Sequence, residues 1–222
     1  MSFFEPIADR IPFIIQGIPE TLKFTVLSVL FGFIWGTILA LMKITHIPAL
    51  TLLANVYTSI FRGTPLIVQI SLVYYASPGL TQMLGLDPID ALTSGVLVFS
   101  LNSGAYVSET IRGGIMAVDK GQRDAAMSLG IPYRLMMTDI IAPQALKNVL
   151  PALLNETINV LKDTAQVSVI GVLEVLRRAD VVAKERFVFF QPYLIAALVY
   201  YVLIMSMTLL ATTYERRLRR SD

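Results

Sequence analysis

Four stretches of this 222-residue chain, 24–42, 63–86, 91–108 and 187–214, contain no aspartate, glutamate, lysine or arginine. No other feature narrows the possible folds as much. A helix rises about 1.5 Å per residue and the hydrocarbon core of a bilayer is about 30 Å thick, so mainly apolar runs of roughly 18 residues or more can cross it. Composition points the same way: 55% of the residues are hydrophobic and 15% charged, where a soluble domain carries about 25% charge. The chain is therefore expected to be an all-α polytopic membrane protein, which excludes a soluble enzyme and a nucleic-acid binder. Cysteine is absent and histidine occurs once, at His46. That removes disulfides, thiolate metal sites and histidine clusters, and His46 reads as a solvated turn residue.

A pass along the sequence predicts five spanning helices in a single membrane domain, over about 17–42, 48–77, 91–117, 146–173 and 192–214. The second carries Arg62 and then Gly63-Thr64-Pro65, which is expected to break it. Pro78-Gly79 and Asp87-Pro88 mark an irregular connection to the third. The fourth is interrupted by Glu156, Lys162 and Asp163. No basic segment precedes an apolar run near the start, so the first span is expected to direct insertion. Lys/Arg asymmetry sets orientation. With the N-terminus outside, ten basic residues fall on inner segments: Lys43, Arg112, Lys120, Arg123, Arg134, Lys147, Arg216, Arg217, Arg219 and Arg220. Five fall outside: Arg10, Arg177, Arg178, Lys184 and Arg186. The N-terminus is thus expected outside and the C-terminus inside. The C-terminal arginines also suit anionic lipid headgroups, and Tyr74, Tyr75, Tyr193, Tyr200, Tyr201 and Tyr214 read as interfacial or packing aromatics.

Between the third and fourth helices, residues 118–145 form a segment too structured for a plain linker. Helix-forming Gln122–Leu129 precedes a Gly130 stop, and Pro132 opens a second amphipathic stretch containing Ile140 and Ile141. Mixed charges and small residues suit a surface that lies on a partner or on the membrane interface. Asp124-Ala125-Ala126, Gly130 and Ile140-Ile141-Ala142-Pro143 resemble the Glu-Ala-Ala…Gly…Ile-x-Leu-Pro loop of ABC importer permeases. Phe61-Arg-Gly-Thr-Pro-Leu-Ile-Val-Gln69, Asn102-Ser-Gly-Ala-Tyr106, Glu109-Thr-Ile-Arg-Gly-Gly-Ile115, Gly121-Gln122, Pro143-Gln-Ala145 and Lys162-Asp-Thr164 extend the likeness to the polar amino-acid uptake subfamily of the type I, binding-protein-dependent importers. It runs from Thr21 to Arg217. Asp124 stands where that family has Glu, and Ala142 where it has Leu.

The resemblance implies a permease subunit that moves a polar amino acid, basic ones among the candidates, across a bacterial cytoplasmic (inner) membrane. It implies a dimer of cytoplasmic ABC ATPase subunits as partner, docked on Asp124, Ala125, Ala126, Ser128, Leu129 and Gly130. It also implies a second permease chain, identical or homologous, and an extracytoplasmic amino-acid-binding protein. The sequence holds no Gly-x-x-x-x-Gly-Lys-Ser/Thr phosphate loop, so no cofactor is expected on this chain; ATP and Mg²⁺ belong to the partner ATPase.

Helix four holds the charges that bear on substrate. Glu156 and Asp163 are seven residues apart, two helical turns or about 10 Å along one face, with Asn159 between them. Ionisable groups at membrane depth are costly and face a cavity or a partner. The pair is read either as a site for a cationic or zwitterionic ligand or as internally paired with Lys162 and Arg62. Ser59, Thr64, Gln69, Asn102, Ser103 and Tyr106 are candidate uncharged liners, with interhelical hydrogen bonding as the other reading. Two further functions fit the composition: an ion-coupled secondary transporter using Glu156 and Asp163, and a non-transporting scaffold for an ATPase.

Overall fold

The computed structural model describes residues 3–45 and 47–219. His46 and Arg220 lie outside the described residues, as do the side chains of Arg217 and Arg219. Every regular element among the described residues is helical. A 3-10 turn, Glu5–Arg10, leads into α1 (Ile11–Ile15), α2 (Ile18–Ile44), α3 (Pro48–Gly63), α4 (Leu66–Met83) and α5 (Ala91–Met116). Then come α6 (Lys120–Ser128), α7 (Tyr133–Leu135), a π-helical turn at Met136–Ile141, and α8 (Ala142–Asp163). A 3-10 segment, Thr164–Ile170, leads to α9 (Val175–Arg186) and α10 (Phe190–Arg219).

Among the described residues, two helical stretches, Glu5–Ile44 and Phe190–Arg216, are long and apolar enough to cross a membrane by themselves, and α3 with α4, bent by 101°, makes a third if counted as one broken span. The expectation of five spans also counts α5 and α8, which are more polar. The reason is position. α5 packs against α2, α3, α4 and α8 and buries Ser94, Ser100, Ser103 and Ser108 together with Gly95, Gly104 and Gly114. A helix surrounded by other helices need not match lipid.

Without a hydrophobic drive between helices in a bilayer, close packing of small residues holds them together. α2 and α5 make the most extensive helix pair. A Cβ on Gly36 would stand 2.6 Å from Val107 and 2.8 Å from the Gly104 carbonyl, and one on Gly114 would overlap the Val149 side chain. α5 is thereby held against α2 on one side and α8 on another. Beside this contact, Phe24, Phe99, Ile70, Val98, Val160 and Val167 form the main apolar core, with Phe24 and Phe99 edge to face at 4.8 Å.

Three boundaries differ from expectation. α4 does not stop at Ser77 but runs through Pro78 to Met83. The ring nitrogen of Pro78 cannot serve the Tyr74 carbonyl, but the Ser77 hydroxyl donates to that oxygen at 2.9 Å, so the helix continues. α8 starts at Ala142 and ends at Asp163, ten residues earlier than 173. The apolar residues that follow wind as a 3-10 segment, closed by Gly171 at φ 88°. α10 is longer than expected at both ends.

At the α9 end of the bundle, Glu174 is fully buried. Its carboxylate caps α9, accepting from the backbone N–H groups of Leu176 at 2.7 Å and Arg177 at 2.5 Å, and accepts the Tyr200 hydroxyl at 2.6 Å. Burial pushes this carboxyl above the usual glutamate range, against the pull of those three donors. Tyr200 is therefore a half-buried hydrogen-bonding residue, whereas Tyr75 and Tyr201 are exposed as interfacial aromatics would be.

The packing generates a graded expectation. Gly36→Val must displace Val107 or the α5 backbone, an overpacking cost of about 1–3 kcal/mol. Gly79→Ala, with nothing within 4 Å of the new methyl, removes only a flexible helical glycine. Thermal unfolding in detergent should show a clear loss for Gly36→Val and none for Gly79→Ala.

Candidate functional site

The second apolar run breaks where Thr64 (φ −121°, ψ 142°) and Pro65 (φ −63°, ψ 134°) adopt extended backbone between α3 and α4. A break at membrane depth strands carbonyl groups. The Phe61 oxygen would be served by the N–H of residue 65, but that residue is proline. Side chains replace it: Gln69 Nε2 donates to the Phe61 carbonyl at 2.9 Å and Asn102 Nδ2 donates to the same oxygen at 3.1 Å. Gln69 Nε2 also reaches the Thr64 carbonyl at 3.1 Å, the Thr64 hydroxyl takes the Ile60 carbonyl at 2.9 Å, and Asn102 Nδ2 donates to Gln69 Oε1 at 3.1 Å. The break is thus braced from α4 and α5.

Beside it lies a cavity of about 550 Å³ between the break, α5 and α8. Seven of the nine expected liners meet there: Thr64, Asn102, Ser103 and Tyr106 on one side, Glu156, Asn159 and Asp163 on α8. Arg62 and Lys162 line it too. Gln69 does not; its amide is used as the strut. Ser59 does not either, because it lies exposed on α3. Within the wall, the Ser103 hydroxyl donates to Glu156 Oε1 at 3.4 Å and Gln166 Nε2 donates to Asp163 Oδ1 at 3.2 Å.

Arg62, one of the two expected neutralisers of the α8 carboxylates, pairs elsewhere. Its Nη1 lies 3.9 Å from Glu109 Oε1 and its guanidinium 5.3 Å from the centre of the Tyr106 ring. Glu109 is a junction. Lys43 Nζ, on a side chain only 1% exposed, donates to Glu109 Oε1 at 2.6 Å and also to Thr58 and Ser108. Arg112 Nε donates to Glu109 Oε2 at 2.9 Å. One carboxylate therefore gathers cations from α2, α3 and α5. The sequence motif contains Glu109 without revealing this role. The signal was that Lys43, Arg62 and Glu109 each border a charge-free run, where ionisable groups need partners.

The segment after α5 folds as expected around its turn residues. Asp119 caps α6, accepting the Gly121 N–H at 2.7 Å, and Gly130 takes φ 68° as the left-handed stop. Asp124, Ala125, Ser128, Leu129 and Gly130 are exposed, with the Ser128 hydroxyl donating to the Asp124 carbonyl at 2.8 Å. Ala126 is not available to a partner. It is 2% exposed and packs with Val118, Met136, Ile141 and Ala145, so its small size serves contact within the chain. Met127, not singled out from the sequence, is 60% exposed beside Leu129. α6 is tied back by Arg123, whose Nη2 donates to the Ile115 carbonyl at 3.1 Å, and by Gln144 Nε2, which donates to Gln122 Oε1 at 3.3 Å. The second tie joins α6 to α8, the helix bearing Glu156 and Asp163.

Residues 28–220 match the family of binding-protein-dependent transport system inner membrane components. A putative glutamine transport system permease protein of Rickettsia bellii is 48% identical over 211 residues, 95% of either chain. The arginine transport system permease protein of Bacillus subtilis is 45% identical over 219 residues, 99% of this chain and 98% of that one. The chain also superposes on the crystal structure of an amino acid ABC transporter with histidines, at TM-score 0.90 and 43% identity over 98% of this chain and 99% of that one. An inward-facing MetNI methionine ABC transporter shares the fold at TM-score 0.78 and 16% identity, covering 98% of this chain and 99% of that one.

The Glu109 junction is expected to be structural as well as electrostatic. Glu109→Gln leaves the buried Lys43 ammonium without its carboxylate, and breaking such a pair costs about 3–5 kcal/mol. Arg112→Gln removes a half-exposed partner and should cost about 1 kcal/mol or less. Denaturation of the two purified variants should separate them clearly; equal losses would reduce Glu109 to an ordinary surface charge.

Proposed function

Because the chain belongs to the family of binding-protein-dependent transport system inner membrane components and is the permease subunit of an amino-acid ABC importer, we propose that the cavity beside the α3–α4 break is where its substrate rests during transfer. The observation that carries this is the meeting of a braced helix break with Glu156 and Asp163 on α8 around one cavity. Broken helices next to cavities serve transporters by presenting polar groups without exposing backbone to lipid. Two carboxylates and the amide of Asn159 suit an ammonium or guanidinium group. This fits a basic amino acid best and admits glutamine, in keeping with the arginine and glutamine named for two relatives.

The rest of the machine follows. The single permease domain sits in a bacterial cytoplasmic membrane with its N-terminus outside and its C-terminus inside, α10 facing lipid or a second permease chain. α6 docks in a groove of a cytoplasmic ATPase dimer through Asp124, Ala125, Ser128, Leu129 and Gly130, with Met127 beside them. ATP and Mg²⁺ are held by those ATPase subunits. An extracytoplasmic binding protein delivers the amino acid at the α9 end. When the ATPases close, α6 moves, and the Gln122–Gln144 tie carries that motion to α8 and its carboxylates. An ion-coupled transporter or a silent scaffold gives the exposed α6 no such task. Proteoliposome uptake should require ATP and persist without an ion gradient; uptake driven by the gradient alone would sink the importer mechanism.

Two substitutions address the parts separately. A Cβ on Gly130 would meet no atom within 4 Å, so the expected effect of Gly130→Val is that of forcing a β-branched residue into the left-handed region. Insertion and expression should be normal while ATPase co-purification and coupled uptake fall sharply; full coupled uptake would remove the docking assignment. Glu156→Gln should weaken lysine or arginine by one to two decades, since a charge-assisted hydrogen bond contributes about 1.5–3 kcal/mol. Glutamine should lose less, having no side-chain cation. Equal losses, measured by direct binding to the assembled complex, would end the argument for cationic preference.

A further inference from the structure

We propose that Arg62 is the receptor for the α-carboxylate of the substrate, so that the cavity reads both ends of an amino acid. This rests on the cavity being the substrate site. It comes from counting charges around Glu109. Lys43, Arg62 and Arg112 converge on that one carboxylate, leaving an excess of positive charge at the edge of an apolar bundle. Both Glu109 oxygens are already engaged, Oε1 by Lys43 at 2.6 Å and Oε2 by Arg112 at 2.9 Å. Arg62 is the supernumerary cation: at 3.9 Å its nearest carboxylate contact is beyond hydrogen-bond distance.

Arg62 is nevertheless held in place. Its guanidinium lies over the Tyr106 ring at 5.3 Å, a cation–π contact that fixes the group at the cavity wall without consuming its N–H donors. The side chain is 46% exposed and forms part of the cavity lining. A planar guanidinium with free donors matches a carboxylate through two parallel hydrogen bonds, which an ammonium cannot imitate. Across the same space stand Glu156 and Asp163. A cavity with a guanidinium on one wall and two carboxylates on another is complementary to a zwitterion, its carboxylate toward Arg62 and its ammonium toward α8. Lys162 also lines the cavity. It projects from the same helix as Asp163, immediately before it, so a carboxylate drawn to Lys162 would lie beside Asp163 and be repelled by it.

The consequence is selectivity against amino acids that have lost the carboxylate charge. The permease–ATPase complex, purified without its binding protein, should be titrated with L-arginine, L-lysine and L-glutamine and with their α-carboxamides. The wild type should bind at least one of the free acids about tenfold to a hundredfold more tightly than its amide. Arg62→Gln should bring that acid close to the affinity of its amide, and saturable binding of the amide by the variant would show that it is folded. Arg62→Lys should recover only part of the preference, and Lys162→Gln should keep it. Equal binding of acid and amide by the wild type would overturn the assignment while leaving the cavity as the substrate site. A preference that survives Arg62→Gln but is lost in Lys162→Gln would overturn it in favour of the lysine. Absence of saturable binding by all three amino acids would overturn both the assignment and the cavity reading.

Discussion

In hydrocarbon no water is at hand to satisfy a stranded N–H or C=O group, and an unsatisfied one costs several kcal/mol. That constraint decides where this chain can hold anything polar. The α3–α4 break at residues 64–65 is affordable only because Gln69 and Asn102 reach back to the Phe61 and Thr64 carbonyls. Once those amides are committed, the cavity beside them has a rigid rim on one side and the polar groups of α5 and α8 on the others. The site exists because the backbone defect was repaired from neighbouring helices and not by continuing the helix.

α5 is the common support. Asn102, Tyr106 and Glu109 follow one another at helical spacing on one face, so a single helix braces the break, lines the cavity and gathers the Lys43, Arg62 and Arg112 charges. Other faces of the same helix are pressed against Gly36 and, through Gly114, against Val149. A support packed this closely on both sides moves with its neighbours or not at all. α8 is bound to α6 through Gln144 and Gln122, and that tie gives motion at the exposed α6 a route to the carboxylates. Ala126, buried against Met136 and Ile141, makes α6 part of this rigid assembly instead of a loose appendage.

The features legible in the sequence were those with local causes. Charge-free runs place the long helices, Gly63-Thr64-Pro65 places the break, and Gly130 marks a left-handed turn that φ 68° bears out. Seven-residue spacing put Glu156 and Asp163 on one cavity wall. What the sequence hid depended on distant partners. Lys43 and Glu109 are 66 positions apart, and nothing local shows that they meet. Gln69 looked like a liner because a glutamine amide serves a ligand or a stranded carbonyl equally well. Pro78 looked like a stop because the compensating Ser77 hydroxyl is visible only once the helix is built. The early end of α8 was hidden by Ala165, Val167, Val169 and Ile170, apolar residues that suit a 3-10 segment as well as an α-helix.

On its way through the membrane, we propose, an amino acid occupies the space between the braced break and the α8 carboxylates. The most direct measurement is a cryo-electron microscopy map of the assembled complex saturated with L-arginine. Density for the amino acid is expected within the cavity bounded by Thr64, Asn102, Tyr106, Glu156 and Asp163. An empty cavity, with the amino acid held elsewhere along the chain, would contradict it.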